Sequence, residues 1–82
     1  MEEKRYEVIR EANTICETSY GVFKSYHAAK IAATKNMYYN YESHRWVRPC
    51  IYLAGERDIT GAHIRYAYYS SEYEKWIDDY VY

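Results

Sequence analysis

The chain has 82 residues, 49% apolar and 20% aromatic, with 13 Tyr but only 3 Gly and 1 Pro. That length carries one small domain, residues 1–82, and that apolar content excludes a disordered chain, which lacks the surface to offset its ordering entropy. Eleven Lys and Arg against twelve Asp and Glu give a formal charge of −1, which excludes the bulk basicity behind non-specific nucleic-acid or membrane binding.

Met1 to Arg5 is charged, and no apolar run follows it that would serve as a signal peptide. No stretch reaches the ~18 apolar residues that span a bilayer. Cys16 and Cys50 form neither a CxxC pair nor a regular framework. The expectation is a cytoplasmic protein with no membrane partner and two reduced thiols in or near its core.

In chain order, Arg5 to Arg10 is a β-branched and aromatic run that predicts a first strand, and Glu11-Ala12-Asn13-Thr14 a turn. Ile15 to Phe23 reads as a second strand, with Gly21 marking a bulge. Ser25 is an N-cap for a helix from Tyr26 to about Tyr41, a stretch without Gly or Pro. Ala28, Ile31, Ala32 and Tyr39 share one stripe of that helix. Its alanines at 28, 29, 32 and 33 shorten the distance from helix axis to sheet. Arg45 to Arg48 and Cys50 to Leu53 flank Pro49, which lacks a ladder donor and predicts an edge strand or a bulge.

Gly55 to Asp58 reads as a polar turn. Ala62 to Tyr69 then alternates Ile64, Tyr66 and Tyr68 with His63, Arg65, Ala67 and Tyr69, the clearest strand pattern in the chain. Ser71-Glu72-Tyr73-Glu74 fits a capping box, and Tyr73, Trp76, Ile77, Tyr80 and Val81 recur at helical spacing. The spacing predicts an α+β fold of order ββαββα, an antiparallel sheet of about four strands with one long and one C-terminal helix. Phe23-Lys24-Ser25 and Tyr69-Ser70-Ser71 each set an aromatic and a serine cap before a predicted helix. This reads as generic strand-to-helix grammar more readily than as a duplication.

Charge is segregated along the chain: net −2 over Met1 to Phe23, +4 over Lys24 to Arg65 and −3 over Tyr66 to Tyr82. The basic middle either docks on a partner or is matched by the acidic ends of its own chain, and the sequence leaves both open.

Motifs for chemistry are absent: no GxSxG, no Gly-rich phosphate loop, no HExxH, no EF-hand loop. His27, His44 and His63 are too scattered for a local metal motif, and so small a core leaves little room for a catalytic pocket. The expectation is no enzyme, no cofactor and no metal. Basic residues interleaved with rings, Arg45-Trp46-Val47-Arg48 and Arg65 with its neighbouring tyrosines, suit single-strand binding by phosphate contact and stacking. Thirteen tyrosines also exceed what so slight an interior holds. Tyr38, Tyr39 and Tyr41 crowd the predicted helix end and must point in different directions, so at least one faces solvent, as hot-spot rings do.

Tyr6-Glu7-Val8-Ile9-Arg10-Glu11, followed by Ser25-Tyr26-His27-Ala28-Ala29-Lys30-Ile31-Ala32, resembles a strand-then-helix pattern of small phage-encoded proteins. One such family is a type I-F anti-CRISPR that occupies the crRNA-backbone subunits of the CRISPR surveillance complex. Lys30 and Lys35 match its basic helix positions, and Lys75-Trp76-Ile77-Asp78 resembles its closing basic-Trp-Val-Asp strand, where the spacing here predicts helix. The resemblance implies a phage or mobile-element accessory protein acting in the host cytoplasm. Its partner would be a host protein or ribonucleoprotein complex. Joined to the residue reading, the expectation is a non-enzymatic interaction protein that inhibits by steric occlusion. Lys24, Lys30, Lys35, Arg45, Trp46 and Arg48 would engage the partner, with Arg65, Tyr38 and Tyr41 as further contacts. The alternative is direct nucleic-acid binding through the Arg, Tyr and Trp surface.

Overall fold

Strand alternation sets the first element. In β1 (Tyr6–Arg10) Tyr6 and Val8 face one side of a sheet and Glu7 and Ile9 the other. The computed structural model, which describes residues 4–78, pairs β1 with β2 (Thr18–Phe23) and with β5 (Cys50–Arg57). The β5 strand pairs with β6 (His63–Ser70), and β6 with β7 (Lys75–Asp78). The result is a five-stranded antiparallel sheet of order β2-β1-β5-β6-β7. A separate hairpin, β3 (Tyr38–Asn40) with β4 (Arg45–Val47), lies between the helix α1 (Tyr26–Lys35) and β5 in the chain.

The N-terminal half follows the sequence pattern closely. Ser25 caps α1, its Oγ accepting from the Ala28 N–H at 3.0 Å. Gly21 has φ of 125° where the β1–β2 register shifts, the bulge that its lack of a Cβ permits. The close helix approach also holds: Ala29 and Ala33 are fully buried against Val8, Ile51, Leu53, Tyr66 and Ala67. The buried stripe is nevertheless rotated from the expected one, and Ile31 is left 43% exposed. One end of this thin core is closed by rings, Tyr66 standing edge-on to Tyr6 at 5.0 Å and to Tyr26 at 5.1 Å.

Four expectations are corrected. The helix stops at Lys35 because Asn36 caps it, donating its side-chain amide to the Ala32 carbonyl and its backbone N–H to that of Ala33. Tyr38 and Tyr39 then enter a strand, opposite Val47 and Trp46. The polar turn falls later than expected, because β5 runs through Gly55 to Arg57. Asp58 organises the turn by accepting the N–H groups of Thr60 and Ala62. Pro49 is buried at the entry to β5, the middle strand of the sheet, outside the ladder rather than at an edge.

The fourth correction concerns the C-terminal segment, which is a strand through Asp78. The Ser71–Glu74 stretch is the turn of a β6–β7 hairpin, in which Ser70 Oγ accepts from the Tyr73 N–H at 3.2 Å. Glu74 has φ of 53°, which a continuing helix does not allow. The parallel between Phe23-Lys24-Ser25 and Tyr69-Ser70-Ser71 as caps before two helices falls with the C-terminal helix, and Tyr80 and Val81 lie outside the described residues. A β-bulge breaks the alternation of β6. Ile51 pairs with Ala67 but Tyr52 with Arg65, which makes Tyr66 the extra residue and leaves both Tyr66 and Ala67 buried.

Replacing Ala29 by Leu should overpack the helix–sheet contact and cost about 1–3 kcal/mol in urea unfolding. Unchanged stability would show that the helix is not seated on its alanines.

Candidate interaction site

Helix α1 packs chiefly on β1, β2 and β5, so the β6–β7 half of that sheet face is only partly covered. Between the helix and β7 runs a groove of about 390 Å³ lined by His27, Lys30, Ile31, Thr34, Lys35 and Trp76. Ile31 and the half-buried Trp76 supply its apolar walls. A bond across the same two elements ties them together, the Tyr26 hydroxyl donating to Asp78 Oδ1 at 2.8 Å.

Arg48 forms the partition to a second, smaller pocket. Its guanidinium lies 3.7 Å from the centroid of Tyr69, and its Nε–H donates to Thr34 Oγ1 at 3.1 Å. One side chain thus fastens the exit of the β3–β4 hairpin to both β6 and α1. Beyond it a cavity of about 90 Å³ is lined by Arg45, Trp46, Val47, Arg48, Tyr69 and Ser71. Trp46 is 63% exposed and Tyr41 80% exposed.

The expected contact residues are therefore brought together in large part. Lys30 and Lys35 rim the groove, with Lys30 Nζ 4.6 Å from the Tyr26 ring. Arg45, Trp46 and Arg48 line the adjoining pocket. Among the described residues no carboxylate forms an ion pair with these four cations. An ion pair forms elsewhere, at Arg10–Glu11, and a close His63–Glu17 contact lies on the other face. Lys24 is exposed ahead of the Ser25 cap and lines neither pocket. Arg65 belongs to the other face of the sheet, opposite Tyr52 and 4.8 Å from the Tyr68 ring. Tyr38 is half-buried under the Arg10 guanidinium at 4.2 Å, and burial pushes its hydroxyl pKa up.

His27, Ile31 and Trp76 are groove residues that the sequence reading missed. Trp76 was legible by a different signal: Lys75-Trp76-Ile77 repeats Arg45-Trp46-Val47 thirty positions later.

The opposite face of the sheet carries a different cluster. Ile9 points away from the helix yet is 1% exposed. Nearby on that face His63 lies against the Tyr52 ring, with Nε2 2.9 Å from Glu17 Oε2, and donates its backbone N–H to Asn13 Oδ1. The Asn13 N–H, and after it His63, hold the Glu17 carboxyl below its usual pKa. This cluster latches the β1–β2 loop to the β5–β6 hairpin. Cys16 is exposed and Cys50 half-buried, so the expectation of two core thiols fails for Cys16. Among the described residues no group of three His, Cys, Asp or Glu is placed to hold a metal, and no helix is long and apolar enough to cross a membrane. Comparison with protein-family models, curated proteins and solved structures finds no match.

Two outcomes test this geometry. Arg48→Ala should cost about 1–2 kcal/mol, and Arg48→Lys should restore little of it, because an ammonium lacks the planar stack and the fixed Nε–H. Hydrogen exchange of the β3–β4 amides should accelerate in both variants. The second outcome concerns alkaline stability. Burial first, and then the Asp78 carboxylate, raise the Tyr26 pKa above its ordinary 10.0. Its contribution is therefore complete below pH 10.0 and is lost as pH rises through the folded-state value. In Tyr26→Phe, urea unfolding should show a shallower alkaline decline.

Proposed function

We propose that the protein is a non-enzymatic interaction protein that inhibits a host complex by occupying its surface. The α1–β7 groove takes an acidic segment of the partner bearing one apolar side chain. The observation that carries this reading is the groove itself: apolar walls from Ile31 and Trp76, rimmed by Lys30 and Lys35, whose charges no described carboxylate neutralises. An apolar anchor ringed by complementary charge is the usual composition of a protein hot spot. The one hydroxyl of the lining, on Thr34, donates to the Lys30 carbonyl and accepts from Arg48, so its bonds are committed to structure rather than to nucleophilic chemistry.

The partner class comes from the resemblance to the type I-F anti-CRISPR family. Lys75–Asp78 is a strand, as that family's closing segment is, which supports the same reading. The partner is then a host ribonucleoprotein complex of the CRISPR type, blocked by steric occlusion.

Lys30→Glu with Lys35→Glu should weaken binding of an acidic peptide with a central Leu by about tenfold, at unchanged melting temperature. In a type I-F interference assay the wild-type protein should protect an infecting phage and the double variant should not. Equal peptide binding by both proteins removes the groove, and lack of protection by the wild type removes the CRISPR-type partner. The exposed Trp46 and Tyr41 beside Arg45 favour a second reading, direct binding of single-stranded nucleic acid. A gel shift at low salt without retardation of DNA or RNA removes it.

A further inference from the structure

The β3–β4 and β6–β7 hairpins are two copies of one unit. Residues Tyr38 to Val47 (YYNYESHRWV) and Tyr68 to Ile77 (YYSSEYEKWI) align without a gap. Their registers coincide, with Tyr39 opposite Trp46 and Tyr69 opposite Trp76. The two Tyr–Trp pairs have the same geometry, 5.9 and 5.7 Å between centroids with planes at 78° and 75°. Each turn is capped by the polar residue before it, Asn40 accepting from the Glu42 and Ser43 N–H groups and Ser70 from that of Tyr73. Each also ends on a residue of positive φ, 55° at His44 and 53° at Glu74.

The copies differ in what lies on their tyrosines. Tyr38 carries Arg10 at 4.2 Å, and its counterpart Tyr68 carries Arg65 at 4.8 Å. Tyr69 carries Arg48 at 3.7 Å. Over its counterpart Tyr39 stands no cation of the described residues. Its neighbours are the rings of Tyr41, at 4.9 Å, and Trp46, both largely exposed. Tyr39 and Tyr41 also line a cavity of about 280 Å³ that includes Glu11 and Glu42. Arg10 shares that cavity, but its guanidinium is engaged with Tyr38 and Glu11. Glu42 is paired with no described cation.

We propose that the Tyr39–Tyr41–Trp46 cluster is a binding site for an arginine side chain of a partner protein. It takes the guanidinium as Tyr69 takes Arg48, with Glu42 supplying the opposite charge. The molecule thus displays, in one copy of the hairpin, the ligand that the other copy lacks. This goes beyond the acidic-segment groove, since none of its residues lines that groove and it prefers the opposite charge. Either can fail without the other.

The test follows the Trp46 indole N–H by NMR while N-acetyl-Gly-Arg-Gly-amide is titrated in, against the same tripeptide with citrulline for arginine. The expected result is a saturable Trp46 shift with arginine and none with the isosteric, uncharged citrulline. Tyr41→Ala and Glu42→Gln, both at solvent-exposed positions, should each weaken arginine binding about three- to fivefold, the factor one exposed cation–π or ionic contact carries, without lowering the melting temperature. Absence of a saturable shift overturns the proposal, as does an equal response to citrulline. Saturation by a single-stranded oligonucleotide in place of the arginine peptide also overturns it, and assigns the rings to base stacking.

Discussion

The groove-bearing half of this molecule depends on where one guanidinium lies. Arg48 sits flat against Tyr69 and reaches Thr34 with its Nε–H, so the β3–β4 hairpin is held to the helix and the main sheet at once. A two-stranded hairpin alone is marginal in water at best. The stack and the hydrogen bond, each about 1 kcal/mol, are comparable to the deficit such a hairpin must overcome. Arginine suits the position where lysine does not, because a planar cation presents a face and an edge donor together. Pro49 follows immediately, buried at the mouth of β5, and its fixed φ directs the chain from this clamp into the middle strand.

A second constraint shapes the groove. The helix seats on two alanines, which lets it lie close to the sheet but gives it little breadth. It covers β1, β2 and β5 and leaves β7 partly open, so Trp76 becomes a wall rather than a core residue. Surplus ring area and unneutralised cations thereby meet on one side of the protein. Four carboxylates have partners of their own: Glu17 in the loop latch, Glu7 at Ser19, Asp58 in its own turn and Asp78 at Tyr26, across the groove's two elements. Among the described residues the cations of the groove and its adjoining pocket form no ion pair with a carboxylate.

Much of the fold was legible where local signals and tertiary demands agree. Ser25 caps its helix, Gly21 bulges its strand, and β1 and β6 follow from alternation and ring content. The C-terminal segment misled because Ser71–Glu74 satisfies a capping box while Trp76 and Ile77 mimic a helical stripe. In the structure those two residues serve opposite faces of one strand, Trp76 opposite Tyr69 and Ile77 opposite Tyr68. The helix end misled because nothing between Tyr26 and Tyr41 forbids helix, and the stop comes from Asn36 and the strand pairing of Tyr38. At the candidate site, Arg45, Trp46 and Arg48 stood out as a basic–aromatic run and Lys30 and Lys35 through the resemblance, whereas Arg65, of the second such run, lies on the other face. The hairpin repeat was present in the sequence throughout, hidden because one copy read as the end of a helix and the other as the start of one.

The most direct test of the Arg48 clamp is the proton NMR spectrum of its side chain. Seated against the Tyr69 ring, the Arg48 δ-protons should resonate well upfield of their random-coil position, and Tyr69→Leu should return them to it. Random-coil shifts for Arg48 in the wild-type protein would contradict the account, since the hairpin, the partition and the face they build would then lack their common fastening.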